Sequence, residues 1–353
     1  MRFKKTWALL GLLVSTTSGA FASKAAFSED GKTLWVLSYD GKSLLAFDGK
    51  APAPNSFPLP APLGGKLTPM HLLADHDGLL LAGESGLWKW NPLAAGVAPE
   101  SIAPLPTEIS IEGLARVPEG PLAGAILING RHRSGDGPQA EGFRGTLYAL
   151  LPGEKQFRGV FTRHLHEVTA SPAFAPGRMV LGGDYDLWEG SFALADTSNS
   201  LCGYLMGYRS APLAQMETEE GNSQGQGVRS LVIVGNTIWA LLEGHHASCS
   251  LVTLPLGKKF KGSDPESAPD VSQSWSIARQ KLAEVKPVSV RDDEGGTAYD
   301  GLESIDCLCA WNGPQGDWKI VYRTHHEVLW EITSGQKQPR KIGIDPTWRN
   351  KGW

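Results

Sequence analysis

Residues 25–47 read AAFSEDGKTLWVLSYDGKSLLAF, in which short apolar runs are separated by two Asp-Gly turns. Strands are predicted over Ala25–Ser28, Thr33–Ser38 and Ser43–Phe47. β-Branched and aromatic residues favour strands, and Asp-Gly favours the tight turns that join antiparallel neighbours. This stretch is therefore predicted to form a three-stranded antiparallel meander.

The same order of strands and turns recurs along the chain at intervals of roughly 40 to 70 residues. The first strands of six units are predicted to begin at Ala25, His71, Glu112, Glu167, Arg229 and Asp300. In the fourth and sixth units these strands are predicted over Glu167–Ala170 and Asp300–Ile305, and the segment 257–295 is predicted to be an irregular excursion between units. The repeat predicts an all-β chain that forms a single β-propeller of about six blades, with paired β-sandwiches as the alternative.

The first 22 residues are predicted to be a secretory signal peptide. Three basic residues stand within the first five, residues 7–14 are apolar, and Ala20–Ala22 offers a small-x-small cleavage site. The apolar run is much shorter than the roughly 20 residues that span a membrane, which argues against a membrane anchor. The propeller, residues 23–353, is therefore expected to be exported to the periplasm or the medium, with no transmembrane segment after cleavage.

Charge and cysteine content narrow the possible functions. The chain has 33 Lys and Arg against 37 Asp and Glu, a formal net charge of −4. Mild acidity without a basic cluster argues against nucleic acid as a partner. An oxidising compartment permits disulfides, and three pairings are possible among Cys202, Cys249, Cys307 and Cys309. The sequence contains no P-loop, GxGxxG or HExxH motif.

Propeller geometry is expected to gather polar residues on one face of the disc. In a blade, the start of the first strand and the loop between the second and third strands emerge on the same face. We call this the channel-mouth face. The residues predicted to bind a ligand there are Arg131, His132, Arg229, Glu243, His245, Arg323, His325 and His326. The alternative is that these polar residues simply face water.

Three carboxylates are predicted to meet at the channel: Glu112, Glu167 and Asp300. They would repel one another unless a cation, Arg229 or protonation relieved them. They are therefore predicted to bind one divalent metal ion, Ca²⁺ if oxygen ligands dominate and Zn²⁺ if histidines join them. His71 and His246 are the candidate general bases, because imidazole titrates near neutral pH.

Residues 112–114, Glu-Gly-Leu, place an acidic residue at the start of a predicted inner strand. This tripeptide resembles the first calcium ligand of the six-bladed gluconolactonase and paraoxonase group. The resemblance implies a six-bladed propeller in which Glu112 binds calcium at a lactonase-like site. That group has asparagine and aspartate at the starts of other inner strands, where this sequence has His71, Glu167, Arg229 and Asp300.

Two functions follow from these observations. The first is a binding or assembly module that presents the channel-mouth face to a protein, a glycan or a small molecule. The second is a metal-dependent hydrolase or lyase, similar to a lactonase or esterase, with its site at the same channel mouth. Fold alone does not choose between them, because propellers support both.

Overall fold

The computed structural model describes residues 24–51, 53–63, 71–107, 109–120, 122–132, 147–162, 168, 170–182, 186–190, 192–194, 204–206, 211–215, 228–243, 249–256, 278–279, 305–324, 328–336 and 339–347. In these residues every regular element is a β-strand. The strands are β1 (Ala25–Phe27), β2 (Leu34–Leu37), β3 (Ser43–Phe47), β4 (Asn55–Pro58), β5 (His71–Asp75), β6 (Gly78–Gly83), β7 (Gly86–Trp90), β8 (Glu100–Ala103), β9 (Ile109–Arg116), β10 (Ile126–His132), β11 (Leu147–Leu150), β12 (Arg158–Thr162), β13 (Ala170–Ala175), β14 (Arg178–Gly182), β15 (Asp186–Gly190), β16 (Phe192–Leu194), β17 (Tyr204–Met206), β18 (Ala211–Gln215), β19 (Val228–Val234), β20 (Thr237–Glu243), β21 (Cys249–Pro255), β22 (Ala278–Arg279), β23 (Ile305–Asn312), β24 (Trp318–Thr324), β25 (Val328–Thr333) and β26 (Arg340–Ile344). This part of the chain has no helix that could cross a membrane.

The described strands form six sheets. Five of them have four strands, in the orders β1-β2-β3-β4, β5-β6-β7-β8, β13-β14-β15-β18, β19-β20-β21-β22 and β23-β24-β25-β26. The third sheet has the order β9-β10-β11-β12-β17-β16, because a hairpin from within the fourth unit adds to its outer edge. Numbered by their first strands along the chain, these are the first to sixth sheets.

The first strands of the sheets lie side by side in a closed cycle. β1 contacts β5, and the cycle continues through β9, β13, β19 and β23 back to β1. The apolar core lies between neighbouring sheets, as where buried Val36 and Leu45 of the first sheet pack with Val321 and Leu329 of the sixth. A closed cycle of sheets around a central channel is a β-propeller, and it excludes the paired sandwiches.

Two turns with the shared sequence Ser-x-Asp-Gly-Lys shape the first sheet. In residues 28–33 the Asp30 carboxylate accepts bonds from the Ser28 hydroxyl at 2.7 Å and from the Lys32 N–H at 3.1 Å. The Ser28 hydroxyl and the Lys32 N–H lower the pKa of Asp30 to about 2. Residues 38–43 repeat the same bonds, and the glycine of each turn is left-handed, with φ of 64° at Gly31 and 65° at Gly41. The Asp-Gly hairpins predicted from the sequence are thus confirmed.

The ring closes between the sixth and first sheets by side-chain contacts, because no strand is exchanged between them. On the face opposite the channel mouth, Trp311 Nε1 donates to Glu29 O at 2.9 Å and Lys319 Nζ donates to Gly31 O at 2.7 Å. On the channel-mouth face, the fully buried Asp345 accepts a bond from the Tyr39 N–H at 2.6 Å. Both faces of this joint are therefore fastened by polar bonds.

The six predicted units correspond to the six sheets. The first strands of the fourth and sixth sheets are described from Ala170 and Ile305, and the predicted starts of these strands, Glu167 and Asp300, lie outside the described residues. The segment 257–295 also contributes the short outer strand β22 of the fifth sheet.

Candidate functional site

Strand register defines one level of the central channel. At this level Ala25, Leu72, Gly113, Ser230 and Cys307 of the first strands pair with Val36, Leu81, Asn129, Leu241 and Arg323 of the second strands. In the fourth sheet the same level falls at residues 171–172. The residue directly before this level is polar in five sheets, and in the fourth sheet the polar residue, Ser171, lies within the irregular stretch. We call these six the inner-strand ring: Lys24, His71, Glu112, Ser171, Arg229 and Asp306.

Four of these six positions lie at β-bulges. The pairing of the first with the second strand skips one residue at Glu112, at Arg229 and at Asp306, and it shifts within residues 171–172. A bulge interrupts the alternation of side chains along a strand and re-aims one of them, and bulges are over-represented beside active sites. The same irregularity at one level in four sheets marks this level of the channel as the candidate site.

The bulge at Glu112 is braced by the sheets on both sides of it. From the second sheet, the His71 Nε2–H donates to Ile111 O at 3.0 Å. From the fourth sheet, the Ser171 hydroxyl accepts the Leu114 N–H at 3.1 Å. The backbone groups that flank the bulge are thus bonded by neighbouring side chains, which fixes the position of Glu112 at the channel.

The bracing requires a glycine at position 113. Asn129 Oδ1 and Ser171 Oγ occupy the space that a Cβ on Gly113 would fill, and the Ser171 Cα would be only 3.0 Å from it. Asn129 is fully buried, and its Nδ2 donates to Val168 O at 3.0 Å. The two polar side chains can therefore approach the bulge only because residue 113 has no side chain.

His71 is held neutral in this arrangement. Burial lowers its pKa to about 4, although the bond to Ile111 O opposes the shift and the charge of Lys24 adds to it. Because Nε2 donates to a carbonyl, it carries the proton, and Nδ1 is left as an acceptor. Its predicted role as general base assumed a pKa near neutrality, which this environment does not provide. That role stays a prediction, and the structure describes His71 as a brace.

The pKa of His71 predicts a pH dependence of stability. The unfolded imidazole titrates near 6.5 and the folded one near 4, so the unfolded state binds more protons between these values. The stabilisation is complete above pH 6.5 and is lost as the pH falls towards 4, by about 3 kcal/mol at 1.36 kcal/mol per pKa unit. Urea unfolding at pH 7 and pH 4 measures this loss. Between pH 7 and pH 4, the free energy of unfolding of His71→Gln is expected to fall by about 3 kcal/mol less than that of the wild type. An equal fall in both proteins would contradict the low pKa of His71.

Two buried acceptors beside the bulge have no hydrogen-bond partner among the described residues. They are His71 Nδ1 and Asn129 Oδ1. Each belongs to a side chain whose donor nitrogen is already committed, His71 to Ile111 O and Asn129 to Val168 O. Unpaired buried acceptors are uncommon, because a buried polar group without a partner costs about 1–3 kcal/mol.

The turns on the opposite face use their polar groups differently. There, side chains bond the next sheet: Asp75 pairs with Arg116 at 2.6 Å, and Asn312 Nδ2 donates to Ile233 O at 2.9 Å. With the Trp311 and Lys319 bonds and the bond between Glu119 and the Gly177 N–H, these contacts join sheets around much of the disc. Polar groups at this face therefore hold the ring together.

Several residues predicted for the site lie at the channel-mouth face by backbone placement. Glu112 and Arg229 lie on the inner-strand ring, and Arg131, His132 and Glu243 end the second strands β10 and β20 at that face. Arg323 differs, because it is 1% exposed and donates to Leu37 O at 3.2 Å, which makes it part of the closing joint. Five predicted residues lie outside the described residues: Glu167, His245, His246, His325 and His326.

The sequence analysis missed three members of the ring. Asp306 and Ser171 lie at the irregular pairings of the sixth and fourth first strands, downstream of the predicted Asp300 and Glu167. Asp300 also lies outside the described residues. Lys24 was not chosen because it directly precedes the first strand, which begins at Ala25 as predicted. Asp306 could have been identified from the sequence, because the apolar run of residues 307–311 directly follows it.

Of the predicted metal triad, only Glu112 lies within the described residues. Among them no three His, Cys, Asp or Glu side chains are grouped as metal ligands. The ring has two carboxylate positions, Glu112 and Asp306, which are three places apart in the cycle and separated by cationic positions on both sides. The metal triad of Glu112, Glu167 and Asp300 therefore stays a prediction.

Comparison with known proteins adds a fold-level likeness. No protein-family model matches the chain, and the search of curated proteins gives no significant match. Among solved structures, a luciferin-regenerating enzyme aligns over 93% of this chain and 95% of its own, with a TM-score of 0.47 and 11% identity. The calcium-binding protein regucalcin of Agrobacterium tumefaciens aligns over 86% and 85%, with a TM-score of 0.39 and 14% identity. The Aleuria aurantia lectin aligns over 96% and 98%, with a TM-score of 0.39 and 12% identity.

Proposed function

We propose that this chain is an exported β-propeller that binds a ligand at the inner-strand ring on its channel-mouth face. The observation that carries the proposal is the repeated irregularity of the first strands in four of the six sheets, where it falls at Glu112, Ser171, Arg229 and Asp306. A bulge disrupts the hydrogen bonds between paired strands, and four sheets have this disruption at the same level.

The size of the ring favours a small ligand or a short projecting group. Its residues lie at the level of the first strands, inside the mouth, and not on the rim of the disc. A flat protein surface would contact the turns of the rim first, such as the exposed Tyr39 and Glu84. We therefore place small polar molecules, including sugars, ahead of a globular protein as the ligand.

Substitution of the ring tests this proposal. The probes are a panel of sugars, amino acids and organic acids, measured by thermal shift and titration calorimetry. We expect Arg229→Met and Glu112→Gln to weaken binding of any active probe at least tenfold. Lys341→Met and Glu100→Gln are matched controls on exposed outer strands, and they are expected to bind as the wild type does. Equal binding by ring variants and controls would overturn the proposal.

Export is a separate part of the proposal and has its own test. Residues 1–22 have the order of features of a secretory signal peptide, and the first described strand begins only at Ala25. Intact-mass analysis of the protein recovered from the periplasm or the medium is expected to give a chain that starts at Ser23. Recovery of the chain in the cytosol with residues 1–22 attached would contradict export.

A further inference from the structure

The tripeptide Asp-Gly-Lys occurs three times around the first sheet, at residues 30–32, 40–42 and 48–50. In an Asp-Gly pair the glycine nitrogen can attack the carboxyl carbon of the preceding side chain and close a cyclic imide. Glycine favours this attack, because it has no Cβ to crowd its nitrogen. Since the three tripeptides are identical, a difference in their reactivity within the folded chain comes from the structure around them.

The carboxyl group is held in the same way in all three tripeptides. One oxygen accepts the N–H of the lysine two residues further along, at 3.1 Å for Asp30, 3.1 Å for Asp40 and 2.9 Å for Asp48. This bond folds the side chain over the intervening glycine, which brings the carboxyl carbon towards the glycine nitrogen. The group that is attacked is therefore similarly placed at the three positions.

The glycine nitrogen, which is the attacking group, differs between the tripeptides. The Gly31 N–H donates to Ser28 O at 2.8 Å, and the Gly41 N–H donates to Ser38 O at 2.9 Å. Gly49 is exposed beyond the end of β3, and its N–H has no hydrogen-bond acceptor among the described residues. A bonded N–H must be released before its nitrogen can attack, and the Gly49 nitrogen needs no such step.

We propose that Asp48 is a modification site, at which aspartate converts to isoaspartate in the folded chain. The Gly49 nitrogen bonds to Cγ of the protonated Asp48 carboxyl group, and the hydroxyl oxygen leaves as water together with the amide proton. Water then adds to the imide at the main-chain carbonyl carbon of Asp48. This opens the ring so that the chain runs through Cγ and the α-carboxylate is free. The reaction takes up the water that it released, and it needs no cofactor.

The fold can accommodate the product at residue 48. Isoaspartate lengthens the backbone by one carbon and keeps the negative charge. Residues 49–51 are exposed between β3 and β4, and a Cβ on Gly49 would meet nothing within 4 Å. At Asp30 the same change would break the closed turn, in which the Ser28 hydroxyl bonds the carboxylate. The chain modified at residue 48 is therefore expected to keep its fold.

Tryptic peptides allow the three positions to be compared in one sample, because the tripeptides end separate peptides, residues 25–32, 33–42 and 43–50. The purified chain is incubated folded and, as a reference, in urea until isoaspartate is measurable at all three positions of the unfolded chain. Chromatography separates the two forms of each peptide, which have equal mass. We expect similar rates in urea. In the folded chain we expect Asp48 to react about tenfold faster than Asp30 and Asp40 or more, a ratio that corresponds to about 1.4 kcal/mol.

Asparagine variants remove the effect of carboxyl protonation. The Lys50 N–H lowers the pKa of Asp48, which slows the loss of water at neutral pH. An asparagine closes the same ring with ammonia as the leaving group, and the loss of its amide is read as a gain in mass. Asp48→Asn is expected to react in the folded chain about tenfold faster than Asp40→Asn or more. Equal rates for these two variants, or a folded Asp48 that reacts no faster than Asp30 and Asp40, would overturn the proposal.

Discussion

Gly31→Ala is expected to destabilise the protein by about 3 kcal/mol or more, whereas Gly41→Ala should cost only about 1 kcal/mol. Both glycines are left-handed, with φ of 64° and 65°, and each lies in its own turn of the sequence Ser-x-Asp-Gly-Lys. A Cβ on Gly31 would lie 2.5 Å from Trp311 Cδ2 of the sixth sheet, whereas a Cβ on Gly41 meets nothing within 4 Å.

The pair of variants isolates the ring-closing contact, because the backbone cost is common to both. Urea unfolding measures the difference between the two variants in the free energy of unfolding. We expect about 2 kcal/mol, because in the closed propeller only the Cβ of Gly31→Ala overpacks against the indole. The Trp311 Nε1 bond to Glu29 O and the Lys319 bond to Gly31 O hold the indole and the turn in place, so neither can move away cheaply. Equal destabilisation by Gly31→Ala and Gly41→Ala would mean that the first and sixth sheets do not meet there.

Gly113→Ala is expected to have the largest effect on the site, with a destabilisation of about 3 kcal/mol and loss of ligand binding. A Cβ at residue 113 would collide with Asn129 Oδ1 and Ser171 Oγ. Neither side chain moves freely, because Asn129 Nδ2 donates to Val168 O and Ser171 Oγ accepts the Leu114 N–H. To relieve the collision the bulge must shift, which displaces Glu112 from the ring.

A double-mutant cycle separates the collision from a general loss of packing. Ser171→Ala alone leaves the buried Leu114 N–H without its partner, which costs about 1–3 kcal/mol. It also removes one of the two atoms that collide with the new Cβ. The double variant with Gly113→Ala should therefore be more stable than the sum of the single effects predicts. Additive effects would show that Ser171 does not occupy the space above Gly113.

The sequence was sufficient to predict the architecture, because each unit repeats the same local chemistry. The run of residues 25–47 contains both turns of the first sheet, and the Asp-Gly signal depends on neighbouring residues alone. Outer strands such as β4 and β8 were not predicted. They are largely exposed and read NSFP and ESIA, so they lack the apolar alternation that marks a strand.

The candidate site was only partly predictable, since its details depend on contacts between units. Glu112 could be singled out from the sequence, but its bulge is fixed by His71 and Ser171, which come from two other sheets. Nothing near residue 112 in the chain specifies these partners. The burial of His71 and its bond to Ile111 O are likewise tertiary features, which the sequence around residue 71 does not specify.

Hydrogen–deuterium exchange with and without a bound probe from the panel tests the central claim most directly. If the inner-strand ring is the ligand site, added probe should slow exchange in peptides that contain the starts of β9, β19 and β23, and the opposite-face turns near Glu29 and Gly235 should be unchanged. Protection of those turns without protection of the strand starts would contradict the account.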